Sequence, residues 1–229
     1  MGTAIPYLDV NWSIVTGCLP DFPCWKKCWA RSMAHRFHRP FVPTFHAERL
    51  VDPMCWIKPR AVGVAFTGDL FANGITDYEI ATVFGAMGGV SRHRYVVITK
   101  RAERMARVTG LLHEIPANVV LLVSASNQVE VKERAKWLLR CPATTRGLSL
   151  EPLLGPVDLS PLRYHLTRPG ADGINWVVTA AETGARARPI NLDWVRKIRD
   201  DCAEEEAGFC FKDQRGFPRL DGKRHAVRP

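Results

Sequence analysis

Short, continuously apolar runs recur along the chain, and most are followed by a polar cluster and then a segment of helical periodicity. The runs at residues 11–15, 61–66, 95–99, 119–123, 146–150, 176–179 and 209–211 predict strands. Helical spacing predicts helices over residues 29–38, 76–87, 102–113, 129–139 and 192–206. Thr76 opens the second of these, with Asp77 and Glu79 in its first turn, where the helix dipole favours negative charge. In the last, Trp194, Val195 and Ile198 share one side. Residues 39–60 are rich in proline and predict an irregular connection with a short helix near 46–51. Strands without polar alternation are buried on both faces, and strands alternating with helices imply parallel units joined by right-handed crossovers. Six or seven such units in series predict an α/β fold, a parallel (βα)6-7 barrel related to the TIM barrel, partial or open. It is one domain over residues 1–229, with a polar, basic tail from about residue 215. No glycine-rich phosphate turn follows the first strand, which argues against a dinucleotide-binding doubly wound sheet.

In a parallel barrel the chemistry sits at the C-terminal strand ends. There the sequence places Asp69, Lys100, Ser124, Asn127, Glu151, Glu182, Lys212 and Asp213. A polar residue at any one strand-to-loop switch is ordinary. Their density points to a site.

Charge narrows the partner. The formal net charge is +9, which favours an anionic partner, nucleic acid first, over a merely basic solvated surface. No apolar run approaches the roughly 20 residues of a membrane span, and the opening residues carry no secretory pattern. The cysteines, odd in number and unevenly placed, suit a reducing cytoplasm and a metal site better than a disulfide scaffold.

Cys18, Cys24 and Cys28 crowd one loop with Gly17, Pro20 and Pro23, after a strand and before a helix. Thiolates select iron–sulfur clusters, zinc or copper. Three of them leave one iron of a four-iron–four-sulfur (4Fe-4S) cluster without a protein ligand, where ordinary clusters use four cysteines. The open iron can chelate S-adenosylmethionine. The alternative is a Cys3His zinc site completed by His35 or His38; zinc pairs usually stand two to four residues apart, which suits the second gap and not the first. Cys55, Cys141, Cys202 and Cys210 read as packed thiols, and His35, His38 and His46 as non-catalytic.

Several local patterns carry a resemblance. They are Asn11-Trp12 with Thr16-Gly17-Cys18; Cys24 and Cys28 before Trp29-Ala30; residues 46–50 (His-Ala-Glu-Arg-Leu); Asp69-Leu70-Phe71; Thr99-Lys100-Arg101; and above all residues 151–159, Glu-Pro-Leu-Leu-Gly-Pro-Val-Asp-Leu. In these the chain resembles the phage-encoded, radical-SAM-like family named after phage gene products thirty-seven and sixty-eight, a domain of unknown function. Its cysteine gaps are five and three, where radical-SAM enzymes at large use three and two. Where the family has Gly-Gly-Glu-Ser, this chain has Ala180-Ala181-Glu182-Thr183.

The resemblance implies a radical-SAM-like barrel, a 4Fe-4S cluster on Cys18, Cys24 and Cys28, and S-adenosylmethionine as cofactor. Trp29 would pack beside the cluster or the adenine, or else be a core aromatic. Thr67, Gly68 and Asp69 occupy the place that binds the methionine amino group; a turn with an Asx cap is the plainer reading. Ser124, Ser126 and Asn127 suit the ribose hydroxyls and carboxylate, or cap the next helix. Lys100 and Arg101 would hold the carboxylate or a substrate phosphate, and Glu151 a ribose hydroxyl or a substrate proton. Arg186 and Arg188 suit phosphate. Lys212 and Asp213 complete the substrate side, and Glu151, Glu182 and Lys212 are the catalytic candidates. The expected function is reductive cleavage of S-adenosylmethionine to a 5′-deoxyadenosyl radical that modifies a nucleobase, a nucleotide or phage DNA. It requires an external electron donor and proceeds in the cytoplasm, the host's if the chain is phage-encoded. The competing readings are a non-catalytic nucleic-acid-binding protein stapled by zinc or a cluster, and a radical-SAM enzyme acting on a protein or small metabolite.

Overall fold

The computed structural model describes residues 3, 5–112, 114–168, 172–183, 187–213 and 216–229. Strand β1 (Val10–Trp12) is followed by β2 (Val15–Thr16), helix α1 (Trp29–Arg36), β3 (Thr44–Phe45) and the short α2 (Asp52–Cys55). Then β4 (Ala61–Val64), α3 (Asp77–Gly89), β5 (Arg94–Thr99), α4 (Ala102–Thr109), β6 (Val119–Ser124), α5 (Gln128–Leu138) and β7 (Thr145–Leu150) alternate. A 3-10 helix, Ser160–His165, leads to β8 (Trp176–Ala180), α6 (Leu192–Glu204) and β9 (Gly208–Lys212). A two-stranded hairpin, β10 (Arg219–Leu220) with β11 (Lys223–Arg224), follows.

The seven-stranded sheet runs β1-β4-β5-β6-β7-β8-β9, and every adjacent pair is parallel. Each strand neighbours the one before it in the sheet. With right-handed crossovers that order puts every connection on the same face, and the sheet curls into a half-barrel. Side chains divide accordingly. Val97, Val119, Leu121, Val123, Leu148 and Val177 pack outward with helix residues such as Ile80, Met105, Val131 and Ile198. Val96, Val120, Leu122, Trp176, Val178 and Cys210 face the concave side, where no helix residue packs among the described residues. Tyr7 and Leu8 fill it instead, Tyr7 standing edge-on to Trp176 at 5.2 Å between ring centroids. Strand β6 is buried throughout, which is why it reads as an unbroken apolar run.

Some expected elements differ. The run at residues 11–15 is two strands, not one. The chain bends at Ser13, whose hydroxyl oxygen accepts from Asn11 Nδ2 at 2.8 Å and Thr67 Oγ1 at 3.1 Å, while its carbonyl accepts from Arg49 at 2.7 Å. After that bend β2 leaves the barrel and pairs antiparallel with β3. Helix α1 stops short of His38, which takes a left-handed φ of 52° ahead of Pro40. Helix α4 ends at Thr109, with Gly110 as its cap, and His113 lies outside the described residues. The connection from β7 to β8, broken by prolines, carries a 3-10 turn in place of an α-helix.

The described part of the C-terminal segment is folded back rather than a loose tail. Leu220 is buried, Ala226 pairs antiparallel with Cys210, and the Val227 carbonyl accepts from Trp176 Nε1 at 2.7 Å. This covers the outer edge of β9, which would otherwise present open backbone groups. Among the described residues no helix is long and apolar enough to cross a membrane.

Candidate functional site

Inward-facing positions become polar toward the C-terminal ends of the strands. Strand alternation carries Val96 and Ile98 to Lys100, Val120 and Leu122 to Ser124, Gly147 to Ser149 and then Glu151, and Cys210 to Lys212. Lys100 Nζ donates to Ser124 Oγ at 3.0 Å. Ser124 and Ser149 are register partners on adjacent strands, and Ser149 Oγ is buried without a hydrogen-bond partner. Lys212 Nζ lies 2.9 Å from Glu151 Oε2, with both side chains largely buried, and Tyr7 Oη donates to Glu151 Oε1 at 3.4 Å. Burial, reinforced by Glu151, holds the Tyr7 hydroxyl well above its ordinary pKa, so it stays a proton donor at neutral pH. Burial also pushes the Cys210 thiol beneath this group up to about 12, which marks it as an inert packed thiol.

The cysteine loop lies across this mouth. Its root is pinned where β2 passes the end of β4. Gly17 N donates to the Thr67 carbonyl at 3.1 Å, Gly17 and Gly68 form a parallel bridge, and a Cβ on Gly68 would stand 2.7 Å from the Gly17 carbonyl oxygen. Gly17 has a φ of 77°, and a Cβ there would meet the Val42 carbonyl at 2.0 Å. Both positions require glycine. Beyond that root, Asp21 accepts from Arg101 at 2.8 Å, and the Phe22 ring lies between the guanidiniums of Arg101 and Arg134, at 5.2 and 5.3 Å. Further on, Lys27 approaches Glu182 at 3.3 Å. The loop is thereby anchored to residues at the ends of β5 and β8 and to helix α5, which follows β6.

Arg101 is the hub. It also pairs with Asp69 at 2.6 Å and reaches Cys18 Sγ at 3.6 and 3.7 Å, while Asp69 accepts from Thr99 Oγ1 and from the Phe71 backbone N–H. Burial raises the Cys18 pKa and Asp69 adds to that, while hydrogen bonding and charge from Arg101 act in the opposite sense. At the far end Glu182 accepts from the Arg188 side chain at 2.9 and 3.0 Å and from its backbone N–H. These bonds, with Lys27, hold the carboxyl down to about 2.

Of the residues expected at the site, Lys100 with Ser124 and Glu151 with Lys212 form two contacting pairs on the concave face. Asp69 and Arg101 are spent on each other and on the loop. Thr67 bonds Ser13 and Gly68 is the close contact. Asn127 caps α5, accepting from Glu130 N at 3.1 Å, and Ser126 N donates to Glu130 Oε2. Arg188 and Glu182 form an ion pair at the rim. Asp213 exchanges backbone bonds with Gly216 just past β9. Trp29 opens α1 and is 52% exposed. Arg186 lies outside the described residues. Tyr7, Asp21, Phe22, Lys27, Arg134 and Ser149 join the site without having been expected there. Of these only Ser149 had a signal, as a small polar residue at an inward position of its strand.

The donor set suits a cluster in kind. Cys18, Cys24 and Cys28 are free thiols on one loop over the mouth, and thiolates are the soft ligands that iron–sulfur clusters take. The sulfurs are not drawn together, however. Among the described residues no three His, Cys, Asp or Glu side chains are placed to share a metal ion. Sharing a cluster requires the loop between Cys18 and Cys28 to contract.

A family described as "Protein of unknown function (DUF5131)" matches residues 2–226. No curated protein and no solved structure matches the chain. Because the match spans nearly all of the sequence, the chain belongs to that family, whose function is unknown.

Proposed function

We propose that this protein is a radical S-adenosylmethionine enzyme, with a 4Fe-4S cluster held by Cys18, Cys24 and Cys28 and a nucleobase or nucleotide as its substrate. The observation that carries the reading is the laying of a three-thiol loop over the polar C-terminal mouth of a parallel half-barrel, through Asp21, Phe22 and Lys27. When bound, the cluster supplies the electron that cleaves the sulfonium to a 5′-deoxyadenosyl radical, and an external donor in the cytoplasm replenishes it.

The chain's own residues do the rest. Lys100 offers an ammonium to the methionine carboxylate. Ser124 and the unpartnered Ser149 hydroxyl offer hydrogen bonds to ribose or amino groups. Glu151 and Lys212 hold a proton between them at the concave face, with Tyr7 orienting the carboxylate. Leu122, Val178 and Trp176 close the floor below and keep water from a radical formed above it.

Anaerobic reconstitution with iron and sulfide, followed by S-adenosylmethionine and dithionite, is expected to release 5′-deoxyadenosine. A protein with an intact cluster that releases none overturns the reading. Tightly bound zinc after native purification, with salt-dependent nucleic-acid binding, would favour the non-catalytic module instead.

A further inference from the structure

Residues 22–47 contain no Asp or Glu, yet they hold five Lys and Arg: Lys26, Lys27, Arg31, Arg36 and Arg39. This one stretch carries more than half of the chain's net charge of +9. At its centre is α1, of which Ala30 alone is buried. Trp29, Met33 and Phe37, four residues apart in turn, line one face of the helix and its cap, 52%, 38% and 59% exposed. Guanidiniums stack on rings along the same stretch. Arg31 lies 4.8 Å from the Trp25 centroid, and Arg36 and Arg39 each lie 6.0 Å from Phe37.

We infer that α1 and the loop before it are the docking surface for an unpaired strand of nucleic acid, whose bases stack on Trp29 and Phe37 and whose phosphates meet the arginines and lysines. Rings interleaved with cations, on a stretch that has no carboxylate of its own and of which Lys27 is met by Glu182, suit a polyanion that also carries flat apolar faces. The distance from Trp29 to Phe37 is about 12 Å at 1.5 Å per residue, enough for about three stacked nucleotides. One alternative occupant fits less well. An anionic membrane would take a helix with a long apolar face, and α1 with its cap offers three large apolar side chains, Trp29, Met33 and Phe37, over about two turns. The surface also runs into the mouth. Cys28 caps α1, and Lys27 reaches Glu182 at the end of β8. A strand lying along α1 thus delivers a base to the concave face. The inference deepens the nucleobase reading above, and its binding step does not require turnover.

The test is fluorescence anisotropy of the cluster-reconstituted full chain with labelled oligo-dT, oligo-U and a duplex of equal length. Anionic phosphatidylserine vesicles serve as a separate arm. Both unpaired oligomers are expected to bind more tightly than the duplex, with affinity falling as salt rises by about 0.7 log units per log unit of salt for each phosphate contacted. Phe37→Ala is expected to weaken binding on the order of tenfold by loss of one stacking platform. Arg36→Ala with Arg39→Ala is expected to flatten the salt dependence. These side chains are exposed, so thermal unfolding should be unchanged and a lost signal is not a folding defect. Equal binding by wild type and Phe37→Ala, preference for the duplex, or association with vesicles alone overturns the inference. Release of 5′-deoxyadenosine without oligomer binding would sink the docking surface and leave the enzyme reading intact. Binding without release would do the reverse.

Discussion

Cys18 and Cys24 sit six residues apart on one loop and face different surroundings. Cys24 is exposed, whereas Cys18 is partly buried beside Arg101, with its pKa raised chiefly by that burial. Thiolate, not thiol, reacts with alkylating agents. Timed iodoacetamide labelling with mass spectrometry is therefore expected to modify Cys24 and Cys55 first and Cys18 later, with the lag shrinking as pH rises. Buried Cys141, Cys202 and Cys210 should react only on unfolding. Cys18 labelling as fast as Cys24 at neutral pH would contradict the placement. Glu182 gives a second test. Its carboxyl is lowered to about 2 by Arg188 and Lys27, so the pair's stabilisation is complete above the ordinary carboxyl range near pH 4.3 and is lost as pH falls through about 2. Glu182→Gln is expected to lower stability at pH 7 and to remove part of the acid sensitivity between pH 4.3 and 2, as followed by denaturation at each pH. Neither setting is visible in the sequence. Arg101 and Asp21 are 80 positions apart, and Lys27 and Glu182 are 155 apart. No local pattern announces either pair.

Among the elements, the start of α3 was legible because it is a local device, while its end runs two residues past the expected Met87 to Gly89. Thr76 Oγ1 accepts from Glu79 N, and the Glu79 carboxylate accepts from Thr76 N at 2.7 Å. Thr76→Ala is expected to cost about 1 kcal/mol in urea unfolding without touching the mouth. The cysteine loop is the opposite case. Its glycine, Gly17, was visible, but the reason for it lies outside the loop, at Val42 and Gly68. Gly17→Ala forces a side chain into a left-handed backbone and against the Val42 carbonyl. A loss of about 1–3 kcal/mol is expected, with iron loading falling further than stability because the loop root moves. Iron loading that stays at the wild-type level despite a lower unfolding midpoint would contradict the role given to that root.

For the whole molecule, the sheet was readable because parallel strands buried on both faces leave unbroken apolar runs, and β5, β6 and β8 do so. That the barrel is partial or open was expected as well, but what fills its interior was not. Whether the last strand meets the first depends on strand number and on what fills the interior, and here Tyr7, from before the first strand, takes that space. The folding back of the C-terminal segment is not legible because it rests on backbone bonds to β9 and Trp176, which no local pattern around Leu220, Ala226 or Val227 announces. Leu122→Ala, in the concave floor, is expected to cost about 2–5 kcal/mol.

Radical chemistry at this mouth requires that the one loop close over it so that three thiols share a single cluster. The electron paramagnetic resonance spectrum of the anaerobically reconstituted, dithionite-reduced protein, recorded with and without S-adenosylmethionine, tests this most directly. A reduced 4Fe-4S signal whose g values move when S-adenosylmethionine is added, and which vanishes when Cys18, Cys24 or Cys28 is replaced by alanine, is the expected result. A cluster signal indifferent to S-adenosylmethionine, or a colourless zinc-bound protein that takes up no iron, would contradict it.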